Sequence, residues 1–568
     1  MWYCVGTVYV RKVVSRGVEY LQVAESYRDE NGKVRDKILF GLGRRDRVDE
    51  MALKRFIGSL ARFLSDDDQA AVQANVGLGE GVEYLGSKEF GGAFLLDGLW
   101  RRLGIDKAIR KAAGSREFTV PVERLLFALV ANRALAPSSK LAAESWIQDV
   151  AFIDGLPEVE VQQLYRAMDF LLEVKNGVER EVFRSVSHLF NLEVDLIFVD
   201  TTSTYFEIES VDEDVVDEES GEVTPGLRKR SKNSKDKRPD LPQAVLGFAV
   251  TRDGIPVKSW VWPGNTVDVS VVDEIKRDLN DWQLSRMVLV MDTGFNSEAN
   301  RRTLQGAGDH FIIGEKMRSG KDSKPVEALT RAGRYTAIND NLRAKEVITK
   351  QGSVASERFI IVHNQLEAER DADKRADIVS ETERRITELG DLTGKEHTKR
   401  VCALKASPVF GKYVRELKNG NLKLDKGKIA AEAKLDGKYL IRTSDQHLSV
   451  KDVVLGYRQL FEIERVNKDL KHTIDVRPVY HRKDERIRAH VLLCWLALLL
   501  IRIAETETGD SWHQLKKNFR QLTVGFLATT GGELAQLNKV TDEQKRVLNA
   551  LKLKPPRRNV SMKLPETT

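Results

Sequence analysis

Two short aliphatic runs in the middle of the chain each stop at an aspartate. Residues 195–200 read Asp-Leu-Ile-Phe-Val-Asp before Thr201-Thr202-Ser203, and residues 286–292 read Arg-Met-Val-Leu-Val-Met-Asp before Thr293-Gly294. Runs of this length, apolar throughout and closed by turn residues, predict buried strands that end in an acid. The patterning around them predicts further strands at 244–250, 257–262 and 310–314, with helices at 271–282 and 297–305. Three strands in succession, then helix and strand in alternation, predict an α/β core. Asp200 then ends its first strand and Asp292 follows its fourth, on neighbouring central strands, where ligand groups of α/β sheets collect.

Elsewhere the period changes. Alternation at 8–14 and 20–23, broken by Asn31-Gly32, predicts a β-rich unit over residues 1–90. Helical periodicity at 122–130 and 161–172, interrupted at Pro137-Ser138-Ser139, predicts a helical region over 91–191. The core's first part then spans 192–318. About 170 residues separate Asp292 from the next informative segment, too many for one connection in a compact core, so 319–435 is read as an inserted domain. Its apolar runs at 335–338, 346–349 and 358–363 make it β-rich, with a charged helix at 366–389 and a strand at 439–443 returning to the core. The core's second part spans 436–510, including an apolar run at 491–501 that is too short to cross a bilayer and reads as a buried helix.

The informative segment is 457–471, Tyr-Arg-Gln-Leu-Phe-Glu-Ile-Glu-Arg-Val-Asn-Lys-Asp-Leu-Lys. On one helix Tyr457, Glu464 and Lys471, spaced seven apart, form a row, with Lys468 beside them. Leu460, Phe461, Ile463, Val466 and Leu470 are its apolar positions, and some share the buried side with Glu464, where a carboxylate needs a partner or a metal. Two strand aspartates and one helix glutamate make a three-carboxylate set suited to a hard divalent ion such as magnesium. Taken singly, each acid has a plainer reading: a turn or cap role for either aspartate, and an i,i+4 ion pair with Lys468 for Glu464.

Together these residues resemble the DDE transposases of bacterial insertion sequences, in the branch marked by a Y-x2-R-x3-E-x6-K signature. Tyr457, Glu464 and Lys471 match it; Leu460 stands at the arginine position, with Arg458 the nearest basic residue. The likeness extends to residues 234–240 (Ser-Lys-Asp-Lys-Arg-Pro-Asp), to Pro263-Gly264-Asn265-Thr266, to Asp436-Gly437, and to 477–482 (Arg-Pro-Val-Tyr-His-Arg). It implies a ribonuclease-H-like catalytic core with a β-rich insertion domain, and cut-and-paste DNA transposition. It implies two Mg2+ ions, with Mn2+ able to substitute: Asp200 bridges them, while Asp292 and Glu464 each hold one. It also implies DNA contacts by Tyr457, Arg458, Lys468, Lys471, Lys235, Arg238, Arg477 and His481. Terminal inverted repeats and target DNA are then the partners, held by a homodimer in a synaptic complex. The family's insertion supports a hairpin at the transposon end, with an aromatic holding a flipped base. No tryptophan lies between Asp292 and Glu464, so Phe410 or Tyr413 is the expected substitute. The competing readings are a ribonuclease-H-like nuclease and a catalytically silent DNA-binding regulator.

Composition narrows the field. Of the residues 41% are hydrophobic and 31% charged, which describes a globular chain, and 568 residues require several domains. The net charge of +6 is uneven: residues 511–568 hold eleven Lys and Arg against four Asp and Glu, a net of +7, and everything before them sums to −1. That basic C-terminal region reads either as a solvated surface or as a DNA contact, and a basic cluster at 228–238 favours phosphate contact. Three cysteines far apart argue against a disulfide framework and fit the cytoplasm, near the nucleoid when DNA is bound. The run Gly390-Asp-Leu-Thr-Gly394-Lys395-Glu396 is one residue short of a P-loop and has Glu where Ser or Thr is needed, so no nucleotide cofactor is expected.

Overall fold

The computed structural model describes residues 8–15, 17–28, 33–48, 53, 57, 60, 61, 63, 83–116, 118, 120–189, 196–280, 287–317, 324–349, 357–477, 479, 481–529 and 532–563. The expected strand starts at 195 and 286, and Pro478 and Tyr480 of the 477–482 motif, lie outside the described residues. The chain forms two compact units: residues 1–190, 255–259 and 468–568, and residues 191–254 and 260–467.

A nine-stranded sheet carries the two strand aspartates. Its order is Thr336–Ala337, Leu342–Thr349, Glu357–Asn364, Lys438–Thr443, His310–Glu315, Val288–Met291, Leu196–Tyr205, Gln243–Val250, Pro256–Pro263. Val288–Met291 runs parallel to both Leu196–Tyr205 and His310–Glu315, while Gln243–Val250 pairs antiparallel with Leu196–Tyr205. Three sequential strands at one side followed by two parallel ones is the ribonuclease-H-like order. The strands read as continuous apolar runs because both faces are covered: Leu196 to Val199 and Val288 to Met291 are all buried.

Two expectations need correcting. Asp200 does not end its strand. The parallel partner stops at Met291, opposite Val199, but the antiparallel partner continues to Gln243, opposite Tyr205, and keeps the chain extended past the acid. The stretch 319–435 does not build a β-rich body of its own either. Lys438–Thr443 pairs on one side with His310–Glu315 and on the other with Glu357–Asn364, so the strands from this stretch extend the same sheet and cover an edge that Lys438–Thr443 would otherwise expose. The remainder is mainly helical: Gln365–Leu389, Gly394–Ala406 and Lys426–Ala433, with a two-stranded ribbon, around Leu389, Val401, Leu404, Val414 and Leu422.

In the other unit, the helices Gly91–Arg102, Val122–Leu135 and Val161–Glu173 pack with Asp484–Thr508, which is buried from Val491 through Ala504. That helix is long and apolar enough to cross a membrane by composition alone, yet its apolar window is 94% buried inside the protein, as a core helix requires. The basic C-terminal region is folded. Thr523–Thr529 pairs with Gly532–Leu537 on one side and with Glu83–Glu89 on the other, in a four-stranded sheet that Asn559–Lys563 completes.

The Pro263-Gly264-Asn265-Thr266 segment shows why its glycine is needed. A Cβ at Gly264 would collide with the backbone oxygens of Gln243 and Lys229, while the Gly264 amide donates to Leu227 O at 3.0 Å. Gly264→Ala should therefore lower stability by about 3 kcal/mol. Gly177→Ala, at an exposed helix position with open space around it, should be neutral or raise stability by up to about 1 kcal/mol. Urea unfolding followed by circular dichroism checks the pair; equal midpoints for the two variants would contradict the packing argument.

Candidate active site

Strand register places the first two acids together. Met291 lies opposite Val199 in parallel pairing, so the residues that follow, Asp292 and Asp200, emerge side by side. Both line a cavity of about 320 Å³, and Glu464 lines it from the helix Leu460–His472. Tyr457, Arg458 and Leu460 border the same cavity, so the leucine at the signature's arginine position and its basic neighbour share one wall.

The plainer readings of the acids do not hold. Asp200 sits inside a strand, not in a turn. Asp292 precedes the short 3-10 turn Thr293–Phe295, but its side chain makes no capping hydrogen bond. Glu464 is exposed, not buried as the helical pattern suggested, and among the described residues it has no ion pair, Lys468 included. Burial is the main force pushing the Asp200 carboxyl up to about 6; Lys235 and the Thr201 amide oppose the rise, and the neighbouring Asp268 and Asp292 charges add to it.

The single helix expected over 457–471 is two helices. Val450–Arg458 ends at Gln459, whose amide reaches Leu455 O at 3.1 Å and Gly456 O at 3.0 Å, and Leu460–His472 begins anew. Ile463, Val466 and Leu470 are buried as expected; Phe461 is 58% exposed at the cavity. The Tyr457 hydroxyl hydrogen-bonds to Thr293 and occupies the space a side chain at Gly314 would need. Its ring stacks on Tyr439, centroids 6.0 Å apart. Burial pushes the Tyr439 phenol up to about 12 and that of Tyr457 higher still, so both are neutral, and the Tyr439 hydroxyl is buried without a partner.

Three neighbours escaped the sequence analysis in whole or in part. Asn467 donates from Nδ2 to Asp200 Oδ2 at 3.1 Å, while its own Oδ1 is buried without a partner. It lies three residues after Glu464, the i,i+3 spacing that could have flagged it. Asp268 follows the Pro263–Thr266 motif by two residues. It hydrogen-bonds the Thr201 hydroxyl and pairs with Lys235 at 3.2 Å. Lys235 also donates to Thr201 O at 2.7 Å, so this lysine, expected at DNA, points at the acids. Three of the six other basic side chains of the 228–238 cluster are paired too: Arg228 with Asp212, Lys229 with Asp214 at 2.7 Å, and Arg238 with Asp240 at 2.8 Å. The acidic stretch just upstream supplies two of these partners.

The remaining expected contacts lie farther along the chain. Lys468 is exposed and Lys471 half-buried on the last turns of Leu460–His472, and Arg477 is half-buried. His481 packs edge-on to Tyr165 at 6.0 Å and beside His490 at 5.5 Å; burial, reinforced by the Lys140, Arg486 and Arg133 charges, pulls it down to about 4 and leaves it neutral. Tyr413 is 2% exposed, and Phe410 packs on the Leu389–Leu422 core with Arg385 over its ring at 4.2 Å. Neither offers a free face for a flipped base, because Tyr413 is buried and Phe410 lies between that core and Arg385.

Comparison with known families assigns the chain. The IS1634 family transposase N-terminal domain is matched over residues 10–72, and the Transposase DDE domain over residues 243–500. The chain belongs to the insertion-sequence DDE transposases. The matched DDE span contains Asp292 and Glu464 and begins downstream of Asp200. No curated protein matches this transposase. Among solved structures it is similar to a piggyBac transposase synaptic complex with hairpin DNA, at 9% identity over 76% of this chain and 79% of that one, with a TM-score of 0.35. It is also similar to a Mos1 transposase paired-end complex, at 13% identity over 36% of this chain and 57% of that one, with a TM-score of 0.14. At those scores neither adds to the assignment.

DDE domains work with divalent metals, and the transposase's own residues fit one. Among the described residues no three acidic, His or Cys side chains stand close enough to hold one ion together. Yet the donors lining the cavity are hard oxygens, Glu464 is free to turn, and the orphaned Asn467 Oδ1 lies beside a carboxylate whose ionisation is penalised. A carboxyl held at about 6 instead of 3.8 carries an extra proton in the native state between those values, so native stability falls as pH rises through that window. Above pH 6 the cost is roughly 2 to 4 kcal/mol. In EDTA, Asp200→Asn should therefore raise the unfolding midpoint at pH 7.5 and leave it nearly unchanged at pH 4. A midpoint at pH 7.5 equal to or below that of the parent contradicts the burial argument.

Proposed function

We propose that Asp200, Asp292 and Glu464 are the metal-holding acids of this transposase, and that it moves its element by cut-and-paste transposition. The observation that carries this reading is an unpaired Glu464 standing at a cavity floored by two adjacent strand aspartates. A pair of Mg2+ ions, replaceable by Mn2+, would supply Lewis-acid activation of an attacking oxygen and stabilisation of a departing one. Asp200, on the central strand, and Asp292 and Glu464 beside it would hold the ions through their carboxylate oxygens. Asn467 fixes the Asp200 rotamer from the helix. Tyr457, held by Thr293 and Tyr439, presents its ring wall to the DNA strand, and Arg458, Lys468 and Lys471 take phosphates.

Two hydroxyl groups act in turn. Water cuts at each end of the element, and the freed 3′ hydroxyl then attacks target DNA. One phosphodiester replaces another, so no nucleotide is consumed. Two copies of the chain hold the two ends in a synaptic complex, and the cytoplasm is the compartment in which such DNA is reached. Arg477, Arg238 and the neutral His481 support the bound strand through positioning contacts.

A plasmid carrying the DNA that flanks this gene, incubated with Mg2+, tests the assignment. Asp200→Ala, Asp292→Ala and Glu464→Gln should each reduce end cleavage by about 1,000-fold or more, with DNA binding kept within about threefold. Parental cleavage by any one of them removes that acid from the set. Lys468→Ala should weaken binding to all DNA sequences alike and flatten the dependence of log K on log salt by about 0.9. An unchanged slope assigns Lys468 to solvent.

A further inference from the structure

The unit built from residues 1–190 and 468–568 holds a cavity that the carboxylate chemistry does not use. Its wall is the helix Trp512–Arg520, which buries Trp512, Leu515 and Phe519 on one side. His513, Lys516, Lys517 and Arg520, spaced i, i+3, i+4 and i+7, form a stripe on another side and line the opening. The cavity measures about 570 Å³, within the range of ligand pockets. Its floor is apolar: Leu135, Ala136, Trp146, Val150 and Ala151.

Two features set this cavity apart from an ordinary surface groove. The stripe's charge is mostly uncompensated. Glu89, the carboxylate lining the cavity, pairs with Arg520 at 2.7 Å, and among the described residues neither Lys516 nor Lys517 has an ion pair. The floor also contains a π-helical turn, Trp146–Val150, that follows Lys140–Ser145 and leaves Val150 40% exposed. Such turns cost helix geometry and occur often at functional sites. An apolar floor to which Trp146, 9% exposed, contributes part of its surface, bordered by unpaired cations, matches a ligand with an apolar ring on one side and an anion on the other. A nucleotide has that form. An acidic peptide would satisfy the lysines but leave the floor empty.

We propose that this cavity is a nucleotide-seating site for DNA, taking an unpaired base of a bound strand onto the Trp146 floor and its flanking phosphates onto Lys516 and Lys517. The proposal rests on the chain being a DNA transposase and not on the assignment of its three acids. A single strand binds here by stacking without base identity, and the helix stripe follows its backbone. The site thereby gives the folded C-terminal region a task that its net charge alone does not specify.

The test uses the full-length protein in EDTA, so that no cleavage occurs and failure of the carboxylate assignment leaves the result unmoved. Fluorescein-labelled dT12 and a 12-base-pair duplex are titrated by anisotropy between 50 and 200 mM NaCl. The double variant Lys516→Ala/Lys517→Ala should bind dT12 about tenfold more weakly and show a salt slope smaller by about 1.4, two phosphate contacts' worth on single strands. Ala136→Leu, which fills the floor from a half-buried position, should weaken dT12 binding at least about fivefold while leaving the duplex and the slope unchanged. Val150→Glu, at an exposed position, guards against a folding defect in Ala136→Leu and should lose dT12 in the same way. Free dTMP at 1 mM should fail to displace dT12. Unchanged dT12 affinity and slope in the lysine variant overturn the site. Parental dT12 binding by both Ala136→Leu and Val150→Glu overturns base seating, and displacement by dTMP makes free nucleotide the ligand instead of a strand.

Discussion

Two carboxylates held next to each other on adjacent dry strands govern the architecture around the site. The parallel pairing of Val288–Met291 with Leu196–Val199 leaves no choice about it: once Met291 is opposite Val199, Asp292 and Asp200 must follow together. The cost is visible in the Asp200 carboxyl, which burial and its acidic neighbours push up to about 6. Every surrounding group either relieves that cost or leaves room for something that does. Asn467 donates to one oxygen, and Lys235, tied to Asp268, brings a positive charge nearby. Gly314 gives up a side chain so that Tyr457 fits against Thr293. Carboxylates that still lack enough positive charge after these contacts favour a cation beside them, which is the ground for the proposed metal site, and Glu464 stands unpaired at the same cavity.

Much of this was legible in the sequence because the strands and the buried helices are strongly patterned. The apolar runs before Asp200 and Asp292 marked the two strands, and Glu464 reaches the cavity although the one helix read from its seven-residue spacing is two. The break at Gln459 was invisible because the heptad spacing of Tyr457, Glu464 and Lys471 continues across it. Phe461 misled for a related reason: an apolar residue in a helical pattern predicts burial, and only the tertiary packing shows it at the cavity. Asn467 and Asp268 act on residues 267 and 67 positions away, and no local period encodes such a contact.

Charge runs were the weakest guide. The basic cluster at 228–238 read as a phosphate surface, yet Asp212, Asp214, Asp240 and Asp268 pair with four of its seven basic side chains. The C-terminal region read as a basic tail, yet it folds against Glu83–Glu89, a strand more than 430 positions earlier. Once folded, its lysines divide into those with partners and those without, and only the unpaired ones carry information about a ligand. Strands from the stretch read as a separate β-rich insertion extend the central sheet, since hydrogen-bonding demand along Lys438–Thr443 outweighs any tendency of a long insertion to fold apart.

The central claim is that the acids on two adjacent strands and one helix form a single divalent-cation site. Electron paramagnetic resonance of free Mn2+, titrated into the full-length protein at pH 7.5 without DNA, measures this directly. The account predicts saturable Mn2+ binding by the parent protein and its loss in Asp200→Asn/Asp292→Asn/Glu464→Gln, with circular dichroism unchanged. Equal Mn2+ binding by the triple variant and the parent would contradict it.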